Sequence, residues 1–272
     1  MDETEMDRNE IMKQPFDQIA NDYDQSFTYS TIGKVQRSLV WNYLEKVQLG
    51  NEIKSVLEIN CGTGEDALWL AKKGINVLAT DISEKMIKIA NKKGREHTNV
   101  SYQVTDFQKI NNRKFDLIFS NFGGLNCISP SAFSVWLNEK MPSLLKENGR
   151  VILVIMPKFC LSESLFFLVK LQLKKVFRRL SKQPLEAKLD AETTIKTWYH
   201  SAKFIRKNIP NNCKINDIRP IGFFIPPSYL NSFVEKRPNF FRILLKLENR
   251  INQFSFFANF SDHYLIEIQM IK

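Results

Sequence analysis

Short apolar runs alternate with segments of helical periodicity between about residue 55 and residue 156. The apolar runs predict strands at 55–59, 76–80, 100–104, 115–120 and 150–156. Residues between them recur at helical spacing and predict helices at 65–73, 84–93 and 134–145. Because these strands are short and apolar on both sides, the pattern is typical of a parallel sheet covered by helices on both faces.

The flanking sequence predicts further helices and strands. Upstream, helical spacing predicts helices at 16–27 and 32–47; downstream, the predictions are a long helix at 161–180, an extended segment at 193–199, helices at 201–208, 228–235 and 240–254, and strands at 214–218 and 263–271. We therefore predict an α/β protein with a Rossmann-like, mostly parallel seven-stranded sheet and helices on both faces. A helical, aromatic-rich cap is predicted from insertions after the fifth strand and before the last strand.

This pattern divides the chain into three parts. Residues 1–50 form an N-terminal helical segment, 51–157 form the ligand-binding core, and 158–272 hold the cap and the last strands. The chain has 21 Phe among its 272 residues. Many of them lie beyond residue 155, which indicates a second apolar region in the cap.

The net charge of +10 is locally concentrated in one basic cluster. The cluster consists of Lys170, Lys174, Lys175, Arg178, Arg179 and Lys182. Such a cluster is most simply a solvated helix face, and contact with an anionic membrane is the alternative. The four cysteines form no CxxC pair, so neither a disulfide framework nor a metal site is expected. The acidic N-terminus has no apolar signal region, and we expect a cytoplasmic protein that is peripheral to a membrane at most.

Polar residues follow four successive strands of the predicted sheet. They are Glu58, Asp81, Asp106 and Asn121. Ligands of open parallel sheets bind beyond the carboxyl ends of the strands. Four polar side chains at four strand ends therefore predict one binding site at this edge.

The turn at 60–64 follows the first strand and opens the next helix. Gly62 and Gly64 allow a ligand to approach the backbone closely, and Asn60 is the residue type that best tolerates a left-handed conformation. The turn also fits G-x-G-x-x-A, so a dinucleotide-dependent oxidoreductase using NAD is an alternative. However, Glu58 and Asp66 bracket the turn with negative charge, which opposes a pyrophosphate. A ligand with a ribose, an adenine and a cationic amino-acid tail fits better, and S-adenosylmethionine is such a ligand.

Five stretches follow one another in a recognisable order. They are 56–67, 76–83, 104–107, 115–121 and 144–155. Together they resemble the successive motifs of class I methyltransferases dependent on S-adenosylmethionine, in the small-molecule branch related to ubiquinone and menaquinone methyltransferases. The resemblance covers roughly 15–157 and includes 16–24, which resembles the segment that closes over the cofactor in that branch. Asn60 departs from the family, which more often has Gly there.

The resemblance implies a role for each strand end. Glu58 and the backbone of 60–64 hold the methionine portion of the cofactor. Asp81 accepts hydrogen bonds from the ribose hydroxyls, and Asp106 and Phe107 meet the adenine. Enzymatic methyl transfer is the implied activity.

Further residues complete the predicted cofactor site. The resemblance implies that Asn121 and Phe122 line the floor beside the methyl group and that Tyr23 belongs to the closing segment. Ile82 and Met86 are additional candidates to flank the adenine ring. The predicted cofactor-binding residues are Tyr23, Glu58, Asn60, Cys61, Gly62, Gly64, Asp81, Ile82, Met86, Asp106, Phe107, Asn121 and Phe122.

The acceptor is predicted to be a small lipophilic or aromatic molecule, methylated on oxygen or carbon, because the cap is rich in Phe. Tyr199 and His200 are the candidate catalytic residues, and 165–180 is the candidate cover of the pocket, with membrane contact as the alternative. Nucleic acid is disfavoured because no Asn-Pro-Pro-Tyr-like motif follows the fourth strand. A non-catalytic peripheral membrane protein on the same fold remains an alternative. The identity of the acceptor, the need for a general base and the oligomeric state stay open.

Overall fold

A computed structural model describes residues 14–47 and 52–271 of the chain. The predicted boundary at 50/51 and the first thirteen residues of the N-terminal part lie outside the described residues. The α-helices are α1 (Pro15–Tyr23), α2 (Thr31–Lys46), α3 (Glu65–Lys72), α4 (Glu84–Gly94), α5 (Pro130–Val135), α6 (Met141–Ser143), α7 (Leu161–Val169), α8 (Leu173–Val176), α9 (Ala202–Asn208), α10 (Asn231–Glu235) and α11 (Pro238–Ile251). The strands are β1 (Ser55–Ile59), β2 (Asn76–Asp81), β3 (Val100–Val104), β4 (Phe115–Ser120), β5 (Leu145–Ile155), β6 (Leu185–Lys188), β7 (Thr194–Thr197), β8 (Cys213–Ile221) and β9 (His263–Met270).

Seven strands form one sheet in the order β3-β2-β1-β4-β5-β9-β8. Strands β1 to β5 are parallel, β9 pairs antiparallel with β5, and β8 pairs antiparallel with β9. The predicted Rossmann-like, mostly parallel seven-stranded sheet is therefore confirmed.

Helices cover both faces of this sheet, as its apolar strands require. Along β5, Val151 and Leu153 pack into one core with α9 and the helical stretch from Pro130 to Ser143. Ile152 and Val154 point to the opposite face and pack with α2, α3 and α4. Each strand thus contributes side chains to two separate cores in alternation.

The prediction of one continuous helix at 161–180 is wrong, because the chain reverses its direction in the middle of this segment. Helix α7 ends at Val169, Leu171 has a positive φ of 55°, and α8 begins at Leu173. The reversal brings Arg178 Nε to 2.8 Å from a Glu163 carboxylate oxygen. Fifteen residues of continuous helix would separate these two residues by roughly 22 Å.

Arg179 is buried, although the whole basic cluster was predicted to lie on a solvated helix face. It is 4% exposed, and its guanidinium donates to Glu163 and to Asp262, each at 2.8 Å. Asp262 precedes β9 and also accepts a hydrogen bond from Gln36 of α2, so one buried carboxylate joins the cap, the N-terminal part and the sheet. Burial opposes its ionisation, but His263 and Arg179 hold the pKa of Asp262 well below its usual range.

Strands β6 and β7 form an antiparallel hairpin beside the seven-stranded sheet. The extended segment predicted at 193–199 includes β7, but the partner strand of β7, β6, was not predicted. The helix predicted at 134–145 begins at Pro130, where Ser129 caps it, passes through a π-helical turn at Trp136–Lys140 and ends at Ser143. In the described ranges, no helix is long and apolar enough to cross a membrane.

Candidate functional site

The turn after β1 holds three left-handed residues within five positions. Asn60 has φ 57°, Gly62 has φ 55° and Gly64 has φ 76°. The left-handed conformation predicted for Asn60 is thus present. A Cβ at Gly64 would lie 2.7 Å from the ring of Tyr102, so this position needs glycine for packing as well as for its conformation.

Asp81 fixes this turn to the end of β2. Its Oδ2 accepts a hydrogen bond from the Gly62 amide at 2.8 Å, and its Oδ1 accepts one from the Ser83 amide at 2.9 Å. Burial raises the pKa of Asp81, while these backbone amides act in the opposite direction by favouring the carboxylate. At the end of β3, Asp106 accepts a hydrogen bond from the Gln108 amide at 2.9 Å.

A buried ion pair lies next to the turn, and it was not predicted from the sequence. Arg37 of α2 pairs with Asp66 at the start of α3. Asp66 also accepts hydrogen bonds from Trp41 Nε1 at 2.6 Å and from Asn121 Nδ2 at 3.1 Å. Burial opposes the charge of Arg37, but Asp66 outweighs it and raises the pKa of Arg37. Arg37 Nε has no hydrogen-bond partner within the described part of the chain.

Glu58 is the most unusual side chain of this region. It is 2% exposed, and its Oε2 has no hydrogen-bond partner among the residues that the structure describes. Burial, and then the negative charge of Asp66, raise the pKa of Glu58 well above its usual range. Because most buried polar atoms are hydrogen-bonded, an unpartnered carboxylate at a strand end indicates a place for a cationic or hydrogen-donating ligand.

These elements enclose a cavity of about 500 Å³ at the carboxyl edge of the sheet. Twelve of the thirteen predicted cofactor-binding residues line it; only Gly64 does not, and Gly64 instead packs against Tyr102. The lining residues among those predicted are Tyr23, Glu58, Asn60, Cys61, Gly62, Asp81, Ile82, Met86, Asp106, Phe107, Asn121 and Phe122. The volume lies in the range of small-molecule and cofactor sites.

Two further segments line the cavity: α1, which lies in the segment predicted to close over the cofactor, and the β6–β7 hairpin, which was not predicted to line it. Pro15 and Phe16 of α1 form one wall, and the β6–β7 hairpin forms another through Glu186, Ile195 and neighbouring residues. None of residues 165–180 lines the cavity, so the prediction that this segment covers the pocket is wrong. Period-two alternation over 185–188 was the available signal for the hairpin, but the segment is short.

The structure does not bring the two candidate catalytic residues to the cavity. His200 is 1% exposed and packs between the rings of Phe133 and Phe204, at centroid distances of 5.0 and 5.1 Å. Burial lowers the pKa of His200 to about 4. Tyr199 carries the Arg179 guanidinium over its ring at 5.1 Å. Neither is among the described residues that line the cavity.

The sequence matches known methyltransferases over part of its length. Residues 56–149 match the family described as a methyltransferase domain. A demethylmenaquinone methyltransferase of Clavibacter sepedonicus is 26% identical over 156 residues, which cover 54% of this chain and 61% of that protein. Malonyl-[acyl-carrier protein] O-methyltransferase 2 of Ilyobacter polytropus is 30% identical over 134 residues, covering 46% of this chain and 48% of that protein. The matches thus span between about half and three fifths of the length of these curated relatives.

The fold is also similar to that of solved methyltransferases over most of its length. The structure of magnesium protoporphyrin IX methyltransferase from Synechocystis PCC 6803 with bound SAH has a TM-score of 0.54 and 18% identity. The similarity covers 90% of this chain and 86% of that chain. Three observations agree in their similarity to methyltransferases. They are the sheet topology, the geometry of the turn after β1 and the family match over 56–149. Residues 56–149 therefore match a methyltransferase domain, and the fold around them is similar to that of solved methyltransferases.

Proposed function

We propose that this protein transfers a methyl group from S-adenosylmethionine to a small lipophilic or aromatic acceptor, on oxygen or carbon. The observation that carries the proposal is the pair of unpartnered buried atoms in the cavity wall, Glu58 Oε2 and Arg37 Nε. The amino-acid end of S-adenosylmethionine has an ammonium group, which would donate to Glu58 and favour its ionised form, and a carboxylate, which would accept from Arg37. The residues present therefore fit this cofactor.

The proposed cofactor contacts follow from the positions of the lining residues. Glu58, Arg37 and the amides of 60–64 would hold the amino-acid end. Asp81 would accept hydrogen bonds from the ribose hydroxyls through the lone pairs that its backbone contacts leave available. Asp106 would hold the adenine. When bound, the cofactor supplies an electrophilic methyl group on a sulfonium, which a nucleophile takes by direct displacement.

The chain's own contribution to the rate is alignment and exclusion of water. Helix α1 and the hairpin meet beside the cavity, where the Thr193 hydroxyl donates to Gln18 Oε1 at 2.6 Å. Two walls held together in this way restrict the positions that an acceptor can take. Holding reactants in the productive arrangement contributes up to about 7–11 kcal/mol in favourable cases.

The acceptor chemistry is proposed from the groups in the cavity wall. Apolar side chains such as Phe16, Phe122 and Ile195 favour a lipophilic acceptor. Burial raises the pKa values of Tyr23 and Cys127 to about 12, so both keep their protons at neutral pH. None of the described lining residues is a histidine. An acceptor acidic enough to ionise at neutral pH by itself, such as an electron-poor phenol or the enol of a β-dicarbonyl compound, suits this wall because it needs no protein base.

Titration calorimetry with S-adenosylhomocysteine and, separately, with NAD tests the cofactor. We expect S-adenosylhomocysteine to bind and NAD not to bind. Asp81→Ala should weaken binding at least about tenfold because the turn loses its anchor and the ribose its acceptor. Glu58→Gln, which keeps the shape of the side chain and removes its charge, should weaken binding by a similar factor.

Asp116→Ala is the matched control. Asp116 lies near the start of β4, at the opposite edge of the sheet, where it accepts hydrogen bonds from Ser55. Its loss should leave the affinity for S-adenosylhomocysteine unchanged. Failure of the wild-type protein to bind S-adenosylhomocysteine would overturn the proposal, and binding of NAD in its place would favour an oxidoreductase.

A further inference from the structure

The tip of the cap exposes eight consecutive residues, 168–175, between the end of α7 and the end of α8. Four of the eight are large and apolar, and three are lysines. The exposed fractions reach 81% for Val169, 83% for Leu171 and 65% for Leu173. Isolated apolar residues are common on protein surfaces, but a contiguous group of them marks an interaction site.

The backbone conformation at this tip holds Leu171 outward. The Leu171 amide donates to Leu168 O and the Gln172 amide donates to Phe167 O, each at 2.9 Å, which is the hydrogen-bond pattern of a Schellman helix end. Leu171 takes the left-handed position of this motif with φ 55°. Glycine is the usual residue at that position because a Cβ is unfavourable there. A large, exposed leucine therefore occupies a position where glycine would fit with less strain.

The chain continues from the tip into a row of aromatic rings. Phe177, which is 61% exposed, stacks on Phe159 at 6.3 Å, and Phe159 meets Phe260 at 5.9 Å. Phe260 contacts Phe256 at 5.6 Å, and Phe256 is 72% exposed. Phe177 follows the tip by two residues, so this row of rings begins beside the tip in the chain.

The charge around the tip has one sign. Between 164 and 185 the sequence contains six basic residues and no acidic residue. Arg178 and Arg179 are bound by Glu163 and Asp262, whereas Lys170 and Lys174 are exposed and form no ion pair within the described ranges. The lysines at the tip are therefore available to an external anion.

We propose that this surface docks on an anionic lipid bilayer, with the apolar side chains of the tip entering the interface and the lysines contacting the headgroups. A second copy of the chain would place like charges against each other, since each copy carries a net charge of +10. A nucleic acid would bind the lysines but leave Leu171 and its neighbours in water. An anionic bilayer accommodates both the lysines and the apolar side chains. The surface is separate from the cavity, so the proposal does not depend on methyl transfer.

Flotation with phosphatidylcholine vesicles, with and without phosphatidylglycerol, tests the proposal. We expect the wild-type protein to float with the anionic vesicles and to be released by salt. Leu171→Gly should weaken partitioning at least about tenfold, because an inserted leucine side chain contributes through each buried carbon. Glycine suits the left-handed position, so this variant should unfold no more readily than the wild-type protein, and thermal unfolding checks that it does not.

Charge removal provides a second, independent comparison. The triple variant Lys170→Gln, Lys174→Gln, Lys175→Gln should lose roughly fivefold per lysine, or about a hundredfold together, on anionic vesicles at low salt. The matched control removes three exposed cations from α9, at Lys203, Arg206 and Lys207, and should partition like the wild-type protein.

Three results would overturn the proposal. The first is no flotation of the wild-type protein with anionic vesicles. The second is equal flotation of wild-type protein and Leu171→Gly. The third is sedimentation of the wild-type protein as a dimer that Leu171→Gly dissociates, which would assign the surface to a second copy.

Discussion

His200 gives a sharp test of whether a predicted catalytic residue is instead part of the core. Its ring is 1% exposed and its pKa is lowered from 6.5 to about 4 by burial. Because the folded pKa lies below the unfolded pKa, the unfolded chain binds a proton at a higher pH than the folded chain does. The stability contributed by neutral His200 is therefore present above about pH 6.5 and is lost as the pH falls towards about 4.

The size of this loss follows from the difference between the two pKa values. A fall in the pKa of His200 from 6.5 to about 4 corresponds to roughly 3 kcal/mol, at about 1.36 kcal/mol for each tenfold change in proton affinity. About 2 kcal/mol of this should be lost between about pH 7.5 and about pH 5. We expect His200→Phe to remove this dependence, because phenylalanine packs in the same aromatic surroundings and does not titrate.

The measurement is urea unfolding of wild-type protein and variant at a series of pH values, followed by circular dichroism. Taking the difference between the two proteins cancels the contributions of other titrating groups, such as the buried carboxyl of Glu58. His97→Gln, in the turn after α4, is the control and should keep the wild-type pH dependence. Equal pH dependence in wild-type protein and His200→Phe would refute the reasoning. Loss of methyl transfer in His200→Phe, with the fold and cofactor affinity intact, would return His200 to the catalytic site.

Two further predictions concern the turn and the ion pair behind it. Gly64→Ala should lower the free energy of unfolding by several kcal/mol, because the added Cβ would lie 2.7 Å from Tyr102. Gly74→Ala should lower it by only about 1 kcal/mol of backbone strain, because Gly74 has φ 80° and a Cβ there would have nothing within 4 Å. Chemical denaturation of both variants measures the difference. Arg37→Met should cost about 3–5 kcal/mol by leaving Asp66 buried without its cation, and adding Asp66→Asn should recover part of that loss in a double-mutant cycle; full additivity would contradict the pairing.

Features that depend on local sequence were predictable. The strand ends follow from apolar runs that stop at polar residues, and Asn60 was expected to be left-handed because few residue types tolerate that conformation. The edge of the sheet on which Glu58, Asp81 and Asp106 meet follows from parallel topology alone. These inferences need no knowledge of how distant parts of the chain pack.

Features that depend on distant contacts were not predictable. Arg37 lies in an otherwise amphipathic helix, and nothing near it in the sequence indicates that Asp66 compensates its charge. No glycine or proline marks the break at Leu171. The reversed chain is held by contacts between residues far apart in the sequence, such as Glu163 with Arg178. Only one strand of the hairpin was predicted, because β6 has four residues and so short a run carries little periodicity.

The position of β9 between β5 and β8 has a consequence for how a nascent chain matures. Both neighbours leave the ribosome before β9 does, so β8 has no place in the sheet until the later strand inserts. Until then β5 presents an unpaired edge, which is the kind of surface that recruits other chains. The first five strands, which pair with one another in parallel, can associate before β9 has been synthesised. The seven-stranded sheet can be completed only after residues 263–270 have been synthesised.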